Sequence, residues 1–257
     1  MTEFLLAARS LFKHFGAVQA SNNLSLEVAR GELHALIGPN GAGKTTALNQ
    51  LCGELAPDRG EIYFDDRRIT HLPVHRRARR GLARSYQITS VFDRLTVQEN
   101  LSLAIQAHNG HSFRFWRRTV DDPVIQGAVM PALSRVGLEE RANIAAANLS
   151  HGEKRQLEVG MALAGHPKML LLDEPYAGMG PGGAVELTKL IRRLKSEVTI
   201  LLVEHDMRAV FALADRITVL VYGAAIASGT PQEIRDNSEV RQAYLGDEML
   251  EEEMVRA

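Results

Sequence analysis

The chain predicts an α/β fold: a mostly parallel sheet core, an N-terminal antiparallel β subdomain and a helical subdomain. Three observations carry that expectation. Apolar runs that suit buried strands stand far apart, at His34-Ala35-Leu36-Ile37, Lys168 to Asp173 and Glu197 to Val203, with helical spacing between them. Residues 4 to 30 instead read as short alternating segments punctuated by Gly16 and Asn22-Asn23. From Leu95 to Leu163 the pattern turns helical. We expect a single domain over residues 1–257, its core from about 1–90 and 158–257 and its helical subdomain from about 91–157.

Composition narrows the class. With 45% hydrophobic and 24% charged residues the chain reads as an ordinary soluble globular protein, and 257 residues suffice for a full core. A net charge of -1 provides no global field for nucleic acid or an anionic membrane. Cys52 is the one cysteine, which excludes an internal disulfide and suits a reducing cytosol. The N-terminus lacks the basic-then-apolar pattern of a signal peptide, and no apolar run approaches the ~20 residues of a membrane span.

In the first segments, Leu24, Leu26 and Val28 share one face of a strand. Phe15 stands ahead of the next motif, where an aromatic stacks on a nucleobase or packs in a core. That motif is Gly38-Pro39-Asn40-Gly41-Ala42-Gly43-Lys44-Thr45-Thr46, the phosphate-binding pattern G-x-x-x-x-G-K-T. A strand precedes it and a helical run, Thr45 to Leu51, follows. Glycines let the backbone wrap phosphate oxygens and point N–H groups inward, and the helix adds the positive end of its dipole. Lys44 is expected to reach the β- and γ-phosphates, and the Thr45 hydroxyl to ligate Mg²⁺.

Gly60 to Asp66 reads as a strand ending in a turn, and Pro73 to Arg84 as a basic helix with a solvated face. Ser85-Tyr86-Gln87 is a short polar strand end. Thr96 and Glu99 are spaced as a capping box, as are Ser150 and Glu153. Between them lie an aromatic–basic knot at residues 111 to 118 and a helix from Pro131 stopped by Gly137-Leu138.

Lys168 to Pro175 is an apolar strand ending in Asp173-Glu174. Unpaired acids at a buried strand end are costly unless a metal or water needs them, and this edge of a parallel sheet is where ligands bind. Asp173 is expected to hold Mg²⁺ through water, and Glu174 to orient or deprotonate an attacking water. His205, after the run ending at Val203, lands on the same edge within reach of the γ-phosphate. Residues 216 to 228 read as a hairpin turning at Tyr222-Gly223, and the tail from Asp247 to Glu253 is acidic.

Taken in order, the phosphate loop, Gln87, the Leu149-Ser150-His151-Gly152-Glu153 stretch, Asp173-Glu174 and His205 resemble the ATP-binding cassette (ABC) ATPases over essentially the full chain. The resemblance implies a P-loop, RecA-like core and a head-to-tail dimer that holds two ATPs between each phosphate loop and the opposing Ser150, Gly152 and Glu153. It assigns Phe15 to adenine stacking, and Gln87 to sensing Mg²⁺, assisting catalysis and contacting a transmembrane partner. Gly180 departs from the pattern, since the family's loop usually carries Asp there.

Within that family, Val136-Gly137-Leu138 through Leu163, Ala177-Gly178-Met179 and Ala243-Tyr244-Leu245-Gly246 look like ATPases of branched-chain amino-acid importers, with urea and amide importers close by. Implied partners are transmembrane permeases, a second ATPase subunit of the same or a homologous kind and, indirectly, an external solute-binding protein, at the inner face of the cell membrane. Nucleic acid is not among them. A lipopolysaccharide-type exporter ATPase and a soluble ABC-type switch acting on ribosome or DNA are the alternatives.

Overall fold

A computed structural model describes residues 4–85, 91–108 and 123–244. The alternating N-terminal segments form β1 (Phe4–Phe15) and β2 (Val18–Ala29), antiparallel about a tight turn in which Gly16 takes φ +60°. They are long strands rather than the expected short ones. Asn22-Asn23 does not end β2, because a register shift between the Leu11–Leu24 and Lys13–Ser21 pairs absorbs it as a bulge, with Asn23 at φ +53°.

Next come β3 (Leu33–Ile37) and α1 (Lys44–Cys52), then β4 (Arg59–Phe64) and β5 (Arg67–Arg68). These last two complete an antiparallel sheet of order β2-β1-β4-β5. The expected basic helix is confined to α2 (Val74–Ala78), and Leu82 to Ser85 are β6. Gly81 at φ +96° breaks the helix, and pairing with the buried central strands decides the rest. Nor is the basic face simply solvated. Arg77 is 2% exposed, and its guanidinium donates to the carbonyls of Gln50, Leu51, Thr70 and Leu72, closing the C-terminal end of α1. Burial pushes its pKa down to about 10.

The helical region holds α3 (Val97–His108), α4 (Pro123–Val136) and α5 (His151–Leu163). Both capping boxes form. Thr96 N–H donates to Glu99 Oε2 at 2.7 Å and Glu99 N–H to Thr96 Oγ1 at 3.3 Å, with the same exchange between Ser150 and Glu153. Helix α4 begins at Pro123, not Pro131, which lies inside it. The buried stripe Ile125, Val129, Leu133 and Val136 outweighs one lost backbone bond. Gly137, at φ +74°, stops the helix as expected, with Leu138 N–H on the Leu133 carbonyl and Gly137 N–H on that of Ser134.

The remaining elements are β7 (Met169–Asp173), α6 (Pro181–Leu194), β8 (Thr199–Val203), α7 (Met207–Leu213), β9 (Arg216–Val221), β10 (Ala224–Gly229), α8 (Pro231–Asp236) and α9 (Ser238–Tyr244). Strand β8 starts at Thr199 rather than Glu197, because the N–H groups of Glu197 and Val198 still bond to Leu194 at the end of α6. The core sheet has the order β10-β9-β3-β8-β7-β6, parallel except for the β9–β10 hairpin. That hairpin turns at Tyr222-Gly223, both left-handed, as a two-residue primed turn requires.

Every residue of β3, β7 and β8 is buried. Side-chain alternation divides β7 and β8 between two cores, while Ala35 and Ile37 of β3 join a third with α7 and β9. Leu170, Leu172, Ile200 and Leu202 pack with α3, α4, α5 and α6. Met169, Leu171, Leu201 and Val203 pack with α1 and the antiparallel sheet. So the carboxyl ends of β3, β7 and β8 stand together at one edge, between two rigid layers. Among the described residues no helix is long and apolar enough to cross a membrane.

Candidate functional site

The loop from Gly38 to Gly43 leaves β3 and is pressed between two other segments. A Cβ on Gly43, which takes φ +100°, would lie 2.4 Å from the Ala20 carbonyl oxygen, and one on Gly38 would lie 2.2 Å from that of Leu220. Only glycine fits either place. Gly223 N–H donates to the Ala42 carbonyl and Asn22 N–H to that of Gly223, so β2 and the β9–β10 turn brace the loop from outside. Inside it, Lys44 Nζ donates to the Gly38 carbonyl at 2.6 Å and the Pro39 carbonyl at 3.0 Å.

Helix α1 opens at Gly43 with no side-chain cap, and its first backbone bond runs from Ala47 N–H to Gly43 O at 2.9 Å. The N–H groups of Lys44, Thr45 and Thr46 therefore have no helical acceptor. Thr45 is exposed and Thr46 half-buried. Burial pushes the Lys44 ammonium below its usual pKa against the opposing pull of Glu174, Asp173 and Glu204, in that order. A buried cation, the open first turn of α1 and three carboxylates lie within one electrostatic neighbourhood.

The carboxylates are held differently. Asp173 is 2% exposed and not unpaired as expected, because Arg84 Nη2 donates to its Oδ2 at 2.8 Å. Glu174, one residue past β7, takes φ +42°, a left-handed conformation rare for a side-chain-bearing residue. Its N–H bonds to the Val203 carbonyl, and its own carbonyl accepts from Ala177 N–H at 3.1 Å and Arg155 Nη2 at 3.0 Å. Glu204 is fully buried. Its Oε1 accepts from Tyr176 N–H, and its Oε2 from the N–H groups of His205 and Asp206. Burial raises the Glu204 carboxyl's pKa against those bonds. This carboxylate ties the end of β8 to the loop after β7 and presents His205, whose imidazole is 64% exposed, beside it.

Ser150, Gly152 and Glu153 lie at the start of α5. Ser150 is exposed, and Glu153 also pairs with Arg141 at 2.7 Å. The helix meets the sheet edge through Arg155, 4% exposed, whose guanidinium donates to the carbonyls of Asp173, Glu174 and Pro175 and pairs with Glu158 at 2.8 Å. His151 Nε2 lies 3.2 Å from the Ala177 carbonyl. A Cβ on Gly152 would sit 3.2 Å from Gly183 Cα, so α5 and α6 start almost in backbone contact.

Phe15 is 50% exposed at the end of β1, with Lys13 Nζ 5.7 Å from its ring centroid; core packing is excluded. Gln87, the knot at residues 111 to 118, Leu245-Gly246 and the acidic tail lie outside the described residues.

Among the described residues no group of three or more His, Cys, Asp or Glu side chains forms a metal cage. The residues that could hold a metal are the Thr45 hydroxyl, at the start of α1, and the Asp173 carboxylate, at the end of β7, both oxygen donors. That suits Mg²⁺, which keeps waters and shares its sphere with phosphates. Sequence reasoning missed Arg84, Arg155 and Glu204. The only available signals were an arginine at the end of a basic run and an acid directly before His205.

Comparison with known proteins agrees with this geometry. A family model described as ABC transporter matches residues 21–177, and one described as branched-chain amino acid ATP-binding cassette transporter matches residues 226–249. The high-affinity branched-chain amino acid transport ATP-binding protein LivG of Salmonella typhimurium is 41% identical, covering 96% of this chain and 100% of its own. BraF of Pseudomonas aeruginosa, of the same description, is 39% identical over the same shares. The lipopolysaccharide export system ATP-binding protein LptB of Acidithiobacillus ferridurans is 37% identical over 95% of this chain and 98% of its own. Among solved structures, the ADP conformation of an ATP-binding cassette of an ABC transporter superposes with a TM-score of 0.83 at 28% identity, covering 96% of this chain and 100% of that one. The chain belongs to the ABC transporter family, among its nucleotide-binding, ATP-hydrolysing subunits.

Proposed function

We propose that this chain powers a membrane importer for branched-chain amino acids or a closely related small solute such as urea or an amide. The observation that carries the reading is the similarity to LivG and BraF across nearly the whole of each chain, joined by the match at residues 226–249. The exporter protein LptB is less similar, which makes lipopolysaccharide export the second reading. Permeases, a second ATPase subunit and an external solute-binding protein are the partners, and the working place is the inner face of the membrane. The chain acts as one domain, with a helical subdomain at about 91–157.

The geometry of the described residues supports the roles that follow, and Gln87 enters through the family resemblance alone. Lys44 and the amides of Gly38 to Thr46 hold the phosphates, and Phe15 offers an open ring to the adenine. Thr45 and Asp173, with Gln87, hold Mg²⁺, which when bound neutralises charge on the phosphates. Glu174 orients or deprotonates the attacking water, and its backbone is fixed at φ +42° by Val203, Ala177 and Arg155. His205 contacts the γ-phosphate. Ser150, Gly152 and Glu153 supply the opposing surface from the second subunit.

The test reconstitutes the protein with its permeases in vesicles and follows ATP-driven uptake of labelled leucine. Uptake that disappears in Glu174→Gln, while ATP still binds, is the expected result, with turnover down about 100-fold or more. ATP-driven lipopolysaccharide extraction without leucine uptake would replace it with the export reading.

A further inference from the structure

We propose that Arg84 is a positioning residue for the hydrolytic site, bracing the helix that carries Thr45 against the strand that carries Asp173. This rests on the reading of Thr45 and Asp173 as the Mg²⁺ pair. Arg84 lies on β6, in register with Leu171 of β7, and its side chain is 8% exposed. One arm of the guanidinium, Nη2, donates to Asp173 Oδ2 at 2.8 Å. The other, Nη1, reaches Asn49 Oδ1 at 2.7 Å, Cys52 Sγ at 3.2 Å and Glu54 Oε2 at 2.9 Å. Asn49 and Cys52 are on α1, the helix whose first turn bears Lys44 and Thr45.

A planar guanidinium fixes the directions of its donors, so one rigid group sets the span between α1 and the end of β7. It also pairs with two carboxylates, the buried Asp173 and the partly exposed Glu54. Among the described residues the pairing engages Oδ2 of Asp173. Orientation of a ligand by such an outer partner changes metal affinity without touching the metal. Arg84 is also the residue through which β6, the strand leading to Gln87, reaches the carboxylate of Asp173.

The test compares wild type with Arg84→Met, measuring Mn²⁺ affinity of the ADP-loaded full chain by the electron paramagnetic resonance signal of free Mn²⁺, and ADP affinity in EDTA. Expected are Mn²⁺ binding weakened about tenfold and ADP affinity in EDTA within about twofold of wild type, with Arg84→Lys recovering part of the loss. Equal Mn²⁺ affinity in wild type and variant overturns the role of Arg84. So does a parallel fall of both affinities, which marks a merely structural residue. If Arg84→Met does not fold, Arg84→Lys alone is judged by the same two outcomes, its single-point donor predicting a smaller loss. Wild-type protein that binds Mn²⁺ no better than free ADP does overturns the Mg²⁺ reading itself, and the proposal with it.

Discussion

Arg155 Nη2 stands 3.0 Å from the carbonyl oxygen of Glu174, so the helix opening at Ser150 holds the backbone of the strand-end glutamate. The same guanidinium reaches the carbonyls of Asp173 and Pro175. One buried side chain thus joins the surface proposed to meet a second subunit to the residue proposed to activate water. The start of α5 is thus coupled to Glu174 by one direct hydrogen bond and to its two neighbours by two more.

Arg155→Met should lower the free energy of unfolding by about 3–5 kcal/mol, because it removes one member of the buried Arg155–Glu158 pair. The double variant Arg155→Met, Glu158→Met should regain much of that, since apolar groups of similar volume replace a buried pair at little cost. Turnover should stay low in both, because the carbonyls at 173–175 still lack the Arg155 guanidinium. Urea denaturation and ATPase assays on the two proteins separate the effects; full activity in the stable double variant would refute the link.

Gly180→Asp should stabilise the protein by roughly 0.5 kcal/mol. Gly180 is the N-cap of α6 with φ -76°, no side-chain cap exists, and a Cβ there meets nothing within 4 Å. An Asp side chain can accept from the first-turn N–H groups and offset the helix dipole. A drop in the urea midpoint would show that the space is needed.

Stability should fall above about pH 10 partly through Tyr176. Its phenol is buried, with the hydroxyl 2.9 Å from Thr188 Oγ1, and burial pushes its pKa from 10.0 up to about 12. Below pH 10 the group is neutral in both folded and unfolded chains. Between 10 and 12 the unfolded chain releases the proton and the folded one keeps it. Stability contributed by the neutral phenol is therefore lost with a slope up to about 1.4 kcal/mol per pH unit. Tyr176→Phe should flatten that limb of a urea-midpoint profile between pH 9 and 11; an identical slope would assign the loss to other groups. At neutral pH the variant should be about 1 kcal/mol weaker for the missing hydrogen bond, which Tyr176 donates because the Thr188 hydroxyl is committed to Ala184 O.

The motif-bearing parts were legible because their chemistry is local. A phosphate loop needs glycines at fixed spacing, and a capping box needs its two residues three apart, so Gly38 to Thr46, Thr96–Glu99 and Ser150–Glu153 announced themselves. The long-range partners did not. Arg84 and Asp173 are distant in sequence and meet only because β6 and β7 pair in parallel, a register no short window contains. Arg77 looked like one more surface cation in a basic run, yet it closes a helix end from within the core. Glu204 carries no motif of its own beside His205, although its buried carboxylate organises that corner. Helix limits failed where tertiary burial overrode a local breaker, as at Pro131, or where a helix end borrowed the next strand's residues, as at Glu197.

The phosphate loop is walled by residues made long after it: the Leu220 carbonyl crowds Gly38, and the Gly223 amide bonds to Ala42. During synthesis the loop therefore emerges complete in sequence while one of its walls is still untranslated. A nascent chain stopped before β9 has the lysine, the loop's own glycines and the β2 side of the brace, but not the Leu220 and Gly223 side. Full bracing of the loop is therefore a late event in synthesis, tied to the arrival of a hairpin turn far along the chain.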